Sequence, residues 1–133
     1  MAKGIISINN HSSSGGGGVG TYSCTKIYDQ NDPIINIEYS LSQPITDFQW
    51  IKIIWRTNVG YDSQDFPVDT IVNKMVGSND HYCCKSHVEW ANGANYISLM
   101  KLWFVSTSKI KYNGSYQNQN IYFKPVQIYG IKY

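Results

Sequence analysis

Apolar and polar residues alternate with a period of two along much of the chain from Thr21 onward. Over residues 35–41, isoleucine, tyrosine and leucine occupy every second position, which predicts a half-buried strand. Residues 50–55 and 96–105 are apolar on both faces, which predicts central strands covered on both sides. Weaker or shorter strand patterns cover residues 22–28, 67–76, 82–90, 109–112, 120–124 and 126–132.

Turn-forming residues separate these segments. Asn-Gly occurs at 92–93 and again at 113–114, and this pair between strand-like segments is the strongest short hairpin signal. Apolar residues nowhere repeat with the 3.6-residue period of a capped helix, so we expect almost no helix. The fold class predicted is therefore all-β, as an antiparallel β-sandwich or a related barrel spanning residues 21–133.

Residues 1–20 have a different composition, with a serine run followed by four consecutive glycines. A Gly/Ser-rich segment is flexible and offers no packing surface. It is either an ordinary flexible segment or junction, or a hinge that joins an upstream stalk to the folded domain.

Charge and composition exclude several classes of protein. Charged residues are 15% of the chain, with a net charge of +2 and the Lys and Arg residues dispersed, so we expect no nucleic-acid partner. The longest apolar stretch is too short for a membrane span, and the N-terminus lacks a signal-peptide pattern. Three cysteines, Cys24, Cys83 and Cys84, do not make a disulfide framework, so reduced thiols are expected.

Two segments carry a family resemblance. Residues 41–53 read Leu-Ser-Gln-Pro-Ile-Thr-Asp-Phe-Gln-Trp-Ile-Lys-Ile, and the chain closes on Val-Gln-Ile-Tyr-Gly-Ile-Lys-Tyr at 126–133. Between them, Phe-Pro-Val at 66–68 matches a further motif. In this order the segments resemble the C-terminal receptor-binding domain of bacteriophage tail fibres and related virion fibre proteins, over residues 21–133.

The resemblance implies a homotrimeric β-sandwich at a fibre tip, made in the host cytoplasm and carried on the virion. Its partners would be an upstream fibre stalk and a glycan or protein on the host surface. The family has no fixed binding residues that could be carried over to this chain. Because a long repetitive stalk is missing here, the chain is expected to be a fragment or a separately encoded tip. The alternative is a structural head-fibre or decoration domain that serves assembly or capsid attachment.

Candidate chemistry is sparse. His81, Cys83 and His87 would share one face of a strand and are zinc-ligand types, but the paired spacing of structural zinc sites is missing. A plain strand with buried thiols is the simpler interpretation, and we expect no metal or other cofactor. A Cys-His nucleophile would also need an orienting group and an oxyanion hole.

The carboxylates that could form a pair for polysaccharide hydrolysis are Asp62, Asp65, Asp69, Glu38 and Glu89. Hydrolysis needs two carboxylates that face each other across the scissile bond. A solvated turn explains the aspartates between 62 and 65 more simply, and calcium there would lack the dense ligand spacing of a calcium loop. We therefore expect a binding protein and not an enzyme.

Aromatic side chains next to turns are the best binding candidates, because a sugar ring stacks on such faces. The alternative for each is cross-strand packing. The most polar loop, 113–120, adds an adaptable contact surface. The predicted receptor-binding residues are Tyr61, Asp62, Tyr82, Trp90, Tyr96, Tyr112, Tyr116 and Asn118.

Overall fold

A computed structural model of the chain describes residues 5–9, 21–57, 60–91, 93–116 and 124–133. The strands within these ranges are β1 (Ile5–Asn9), β2 (Thr21–Asp29), β3 (Tyr39–Ser40), β4 (Trp50–Arg56), β5 (Tyr61–Pro67), β6 (Cys83–Ala91), β7 (Ala94–Ser106), β8 (Lys109–Tyr116) and β9 (Lys124–Lys132). A 3₁₀ turn covers Ile45–Asp47 and a helix, α1, covers Val68–Lys74.

The strands form two antiparallel sheets that share one core. One sheet has five strands in the order β1-β2-β9-β4-β5, and the other has four in the order β3-β8-β7-β6. The buried cluster takes side chains from both, such as Ile53 and Ile128 from the first and Leu102 and Phe104 from the second. The predicted all-β class and antiparallel two-sheet arrangement are therefore confirmed.

The strand β4 shows how the period of two builds this core. Ile51, Ile53 and Trp55 are fully buried, whereas Trp50 and Ile54, on the other face of the strand, are half-buried. The prediction that both faces are covered is wrong for this strand. Its outer face is therefore only partly covered.

The prediction of a long strand over residues 35–41 is also wrong. Only the last part pairs, as β3, and Ile35 and Ile37 are exposed. Asn36 adopts a left-handed conformation with φ of 62°, and its N–H donates to the Tyr112 carbonyl oxygen over 2.8 Å. A single left-handed residue reverses the alternation of side chains that the sequence pattern assumed.

Helix α1 replaces the weak strand expected over 67–76. Pro67 precedes the helix, where a missing N–H costs nothing, and Val68 and Ile71 lie three residues apart and are both buried. The prediction of almost no helix missed this element, because two apolar positions over seven residues are too few to show a helical period.

The two Asn-Gly pairs have different outcomes. Strands β6 and β7 form a hairpin around residues 92–93, where Ala91 pairs with Ala94 and Gly93 has a φ of 77°. This prediction is confirmed. At 113–114 the chain does not turn but continues as β8, with Gly114 opposite Met100.

The N-terminal segment is not wholly separate from the domain. Ile5–Asn9 form β1, which pairs with β2 at the edge of the five-stranded sheet. This part of the segment expected to be flexible therefore belongs to the sheet. Its Gly-rich part, 10–20, lies outside the described residues, as do positions 120–123 of a predicted strand whose last residue, Lys124, begins β9.

The two segments that carry the family resemblance lie together in the structure. Strands β4 and β9 are neighbours, with Ile51 opposite Gly130. The Phe48 ring packs over Gly130, since a Cβ built on that glycine would lie within 2.5 Å of three ring atoms. The glycine in the closing Ile-Tyr-Gly-Ile motif is thus required by the aromatic residue of the first segment.

Candidate functional site

The outer face of the five-stranded sheet carries an open groove with a volume of about 330 Å³. The groove lies over strands β2, β4, β5 and β9, on the side of the sheet that faces away from the core. The residues that line it are Asp29, Asn31, Ile54, Tyr61, Val126, Gln127 and Tyr129.

Two β-bulges shape the sheet beneath this groove. One lies in β2, where Ile27 is inserted between paired residues, and the other in β9, where Val126 is inserted. A bulge bends its strand and redirects the neighbouring side chains. As a result Val126 lines the groove although it is almost fully buried.

A chain of polar side chains forms one wall of the groove. The Tyr129 hydroxyl donates to Gln127 Oε1 over 3.3 Å, and Gln127 Nε2 donates to Asp29 Oδ1 over 3.4 Å. Lys26 Nζ donates to Asp29 Oδ2 over 2.8 Å, and this bond raises the pKa of the lysine. The wall thus presents a hydroxyl, an amide and an ion-paired carboxylate in fixed order.

The end of the groove is held by an ionic cluster. Arg56 Nη1 donates to the Asn31 carbonyl oxygen over 2.5 Å, and Arg56 Nη2 lies 3.5 Å from Asp32 Oδ1. Lys124 also pairs with Asp32, and the hydrogen bond from Lys124 lowers the pKa of that carboxyl. The two cations therefore fix the loop that places Asn31 on the groove.

The opposite wall is aromatic. Tyr61 begins β5 and is 71% exposed, so most of its ring faces solvent beside the apolar floor made by Ile54. A flat ring next to hydroxyl, amide and carboxylate groups suits a sugar, which offers an apolar ring face and a rim of hydroxyls. Among the described lining residues Asp29 is the one carboxylate, whereas glycoside hydrolysis uses two.

Of the residues predicted to contact a receptor, Tyr61 lies in the groove. Its neighbour Asp62 does not, because its carboxylate pairs with Lys85 Nζ at 2.6 Å and links the two sheets at their shared edge. Tyr112 is a core residue, 2% exposed, whose hydroxyl donates to the Pro33 carbonyl oxygen over 2.6 Å. Burial therefore removes Tyr112 from the contact surface and raises its pKa to about 12.

Three further candidates lie in the β6–β7 hairpin and the end of β8. In the ladder Trp90 is opposite Asn95, Tyr96 is opposite Glu89, and Tyr116 is opposite Ser98. These strands belong to the four-stranded sheet, whereas the groove lies over the five-stranded one. The last candidate, Asn118, lies outside the described residues.

Tyr82 contacts a second aromatic residue on the outer face of the four-stranded sheet. Its ring centroid lies 5.2 Å from that of Trp103, at an interplanar angle of 57°. Lys101 Nζ lies over the Tyr82 ring and Lys111 Nζ over the Trp103 ring. The aromatic pair thus has a cation at each end.

Two of the residues considered as zinc ligands differ in burial. Cys83 is fully buried and its thiol contacts Met75 Sδ at 3.8 Å, whereas His81 is exposed and contacts Ser78 Oγ. Within the described part of the chain, no three His, Cys, Asp or Glu side chains meet as a metal site. The three cysteines are free thiols, and burial raises the pKa of Cys83 to about 12.

The aspartates considered for hydrolysis do not face each other either. Asp62 lies opposite Trp55 in the ladder and Asp65 opposite Lys52, so the two point to different faces of β5. Asp65 also pairs with Lys52 Nζ at 2.8 Å. This pairing and the salt bridge of Asp62 leave each carboxylate beside a lysine and apart from the other.

Sequence reasoning missed most of the groove. Its lining comes from three strands that are far apart in the chain. In the sheet, Gln127 lies between Asp29 and Ile54, and Tyr129 is close by on the same strand as Gln127. On β4 and β9 these residues occupy half-buried positions that alternate with buried ones, and this alternation is the pattern that the sequence offers. Without the pairing of these strands, that pattern does not assemble into a site.

Within the described residues no helix has both the length and the apolar character needed to cross a bilayer. Compared with known proteins, the chain matches no family model, no curated protein and no solved structure.

Proposed function

We propose that this chain is the receptor-binding tip domain of a bacteriophage fibre, which binds a glycan of the host surface without chemical turnover. The observation that carries the proposal is the exposed Tyr61 ring beside the apolar floor and polar wall of the groove. Such a ring stacks on the apolar face of a sugar while Asp29, Asn31 and Gln127 hydrogen-bond its hydroxyls. The lining favours binding over hydrolysis, because its carboxylate is ion-paired with Lys26.

A homotrimer is part of this proposal. Strands β5 and β6 are edge strands of the two sheets. They lie side by side, as the hydrogen bond from Gln64 Nε2 to the Cys84 carbonyl oxygen over 2.7 Å shows. Paired open edges favour association unless they are covered. A neighbouring subunit at this side would cover both edges at once.

The test compares Tyr61 with Tyr133, a second exposed tyrosine, which directly follows β9. Tyr61→Ala removes the aromatic wall, and Tyr133→Ala is the matched control, because Tyr133 is 67% exposed and lies outside the groove. Labelled protein is applied to a glycan array and to a panel of bacteria, with its mass measured by light scattering. We expect Tyr61→Ala to bind about tenfold more weakly and Tyr133→Ala to bind like the unchanged chain.

A monomer that binds no cells or glycans would refute the proposal. Equal binding by the two variants would refute the groove as the site. Electron microscopy of labelled virions separates the alternative function, since a head-fibre or decoration domain would label the capsid and not the fibre tip.

A further inference from the structure

The outer face of the four-stranded sheet carries four side chains in a row. Lys101 Nζ lies 5.2 Å from the Tyr82 ring centroid, the Tyr82 and Trp103 rings are 5.2 Å apart, and Lys111 Nζ lies 5.7 Å from the Trp103 ring centroid. We call these residues the cation–aromatic row. It lies on the other sheet from the groove and does not depend on the function proposed for the groove.

The row is held in place by the sheet and by a hydrogen bond. Trp103 lies opposite Lys111 in the β7–β8 ladder, and Trp103 Nε1 donates to the Asn79 carbonyl oxygen over 3.2 Å. A cation over an aromatic face is attracted by the negative face of the ring. The rings therefore hold the two ammonium groups in position before any ligand arrives.

Several lysines of this sheet take no part in the salt bridges between described residues. The salt bridges between described residues use Lys26, Lys52, Arg56, Lys85 and Lys124. Lys101 and Lys111 belong to none of them, and neither does Lys109, which lies two positions before Lys111 on the same face of β8. Among the described residues, three lysines of this sheet therefore take part in no salt bridge.

We propose that the cation–aromatic row binds an acidic polysaccharide, whose carboxylate or phosphate groups contact Lys101 and Lys111. A polymer that repeats its charge along the chain meets both cations at once. A single-stranded nucleic acid fits less well, because it binds by stacking bases on free aromatic faces. Here the two rings contact each other, and an ammonium group lies over each.

The test is gel retardation and titration of the full chain with defined polymers. Polygalacturonate supplies carboxylates, poly(glycerol phosphate) supplies phosphates, dextran is the neutral control, and an oligothymidine represents nucleic acid. The variant Lys101→Gln/Lys111→Gln removes the row's cations, and Lys74→Gln/Lys132→Gln removes two exposed lysines elsewhere with the same change in charge. Circular dichroism confirms that each variant folds.

We expect at least one acidic polymer to bind, with an affinity that falls as salt is added, and dextran not to bind. The row variant should bind about tenfold more weakly, and the control variant like the unchanged chain. The stronger of the two acidic polymers identifies the anionic group. Equal losses in the two double variants would overturn the proposal, and so would tighter binding of oligothymidine than of either polysaccharide.

Trp103 acts here as a positioning residue, so its role needs a separate readout. Trp103→Phe keeps an aromatic face under Lys111, whereas Trp103→Leu keeps an apolar side chain without one. We expect the first to retain most of the affinity and the second to lose about as much as removal of one lysine. Equal affinity of the two variants at equal thermal stability would show that the ring does not position the cation.

Discussion

Replacing Gly130 by alanine tests the packing between the two segments that carry the family resemblance. A Cβ at this position would lie 2.5 Å from Phe48 Cε2 and no farther from two other ring atoms. Carbon atoms in contact are separated by about 3.5 Å or more, so the ring would have to withdraw by roughly 1 Å. Phe48 is in the core, where neighbouring side chains oppose that movement.

The size of the effect follows from two limits. Overpacking a core costs about 1–3 kcal/mol, and complete loss of a buried phenylalanine costs about 3–5 kcal/mol. We therefore expect Gly130→Ala to lower the free energy of unfolding by about 2–4 kcal/mol. Without the ring the sign should reverse, because alanine in a strand is more stable than glycine by about 0.5–1 kcal/mol.

The assay is urea unfolding followed by circular dichroism for the unchanged chain, Gly130→Ala, Phe48→Ala and the double variant. In the Phe48→Ala background, alanine at 130 should no longer destabilise the fold. Gly114→Ala is a useful comparison, because the two atoms nearest to a Cβ there, Sδ and Cε of Met100, belong to a flexible side chain, and we expect a smaller loss. Additive effects of the Phe48 and Gly130 changes would refute the reasoning.

Three further predictions concern the core and the shared edge of the sheets. Stability should fall as pH rises from about 9 to about 12, because the buried Cys83 and Tyr112 keep their protons to about pH 12 while the unfolded chain releases them near 9.0 and 10.0. Melting temperature against pH measures this, and Tyr112→Phe should flatten the slope. In the folded protein a thiol reagent should modify the exposed Cys84 rapidly and Cys83 only on unfolding, as mass spectrometry of the labelled peptides would show. Asp62→Asn should cost about 0.5–1 kcal/mol in urea unfolding, since its salt bridge with Lys85 is half-exposed, and should leave glycan binding unchanged.

Local pattern was enough to predict the class of the fold. In β4 the buried positions Ile51, Ile53 and Trp55 repeat with the period of a strand, and the hairpin at 92–93 follows from the left-handed conformation that Gly93 adopts. Both properties depend on a few consecutive residues. The same reasoning failed at Asn36, where one left-handed non-glycine residue ends the alternation, and at α1, whose two buried residues are too few to define a period.

Position relative to the core needed the tertiary structure. Tyr61 and Tyr112 both flank turn signals in the sequence, yet one is 71% exposed and the other is buried with its hydroxyl bonded to Pro33. The difference arises because Tyr112 lies within β8 with its side chain between the sheets, since the expected turn at 113–114 is absent. The pairing of strands thus decides which polar or aromatic residues are exposed and can bind a ligand.

The sequence by itself determined that this chain builds antiparallel sheets on an apolar core, because strand alternation and tight turns are local. The tertiary structure alone decided where the groove and the cation–aromatic row lie. The groove joins Asp29 to Gln127 across 98 positions of the chain, and the row joins Tyr82, just before β6, to Trp103 in β7. Such partners meet through the register of the sheets, which is a property of the whole fold and not of any segment.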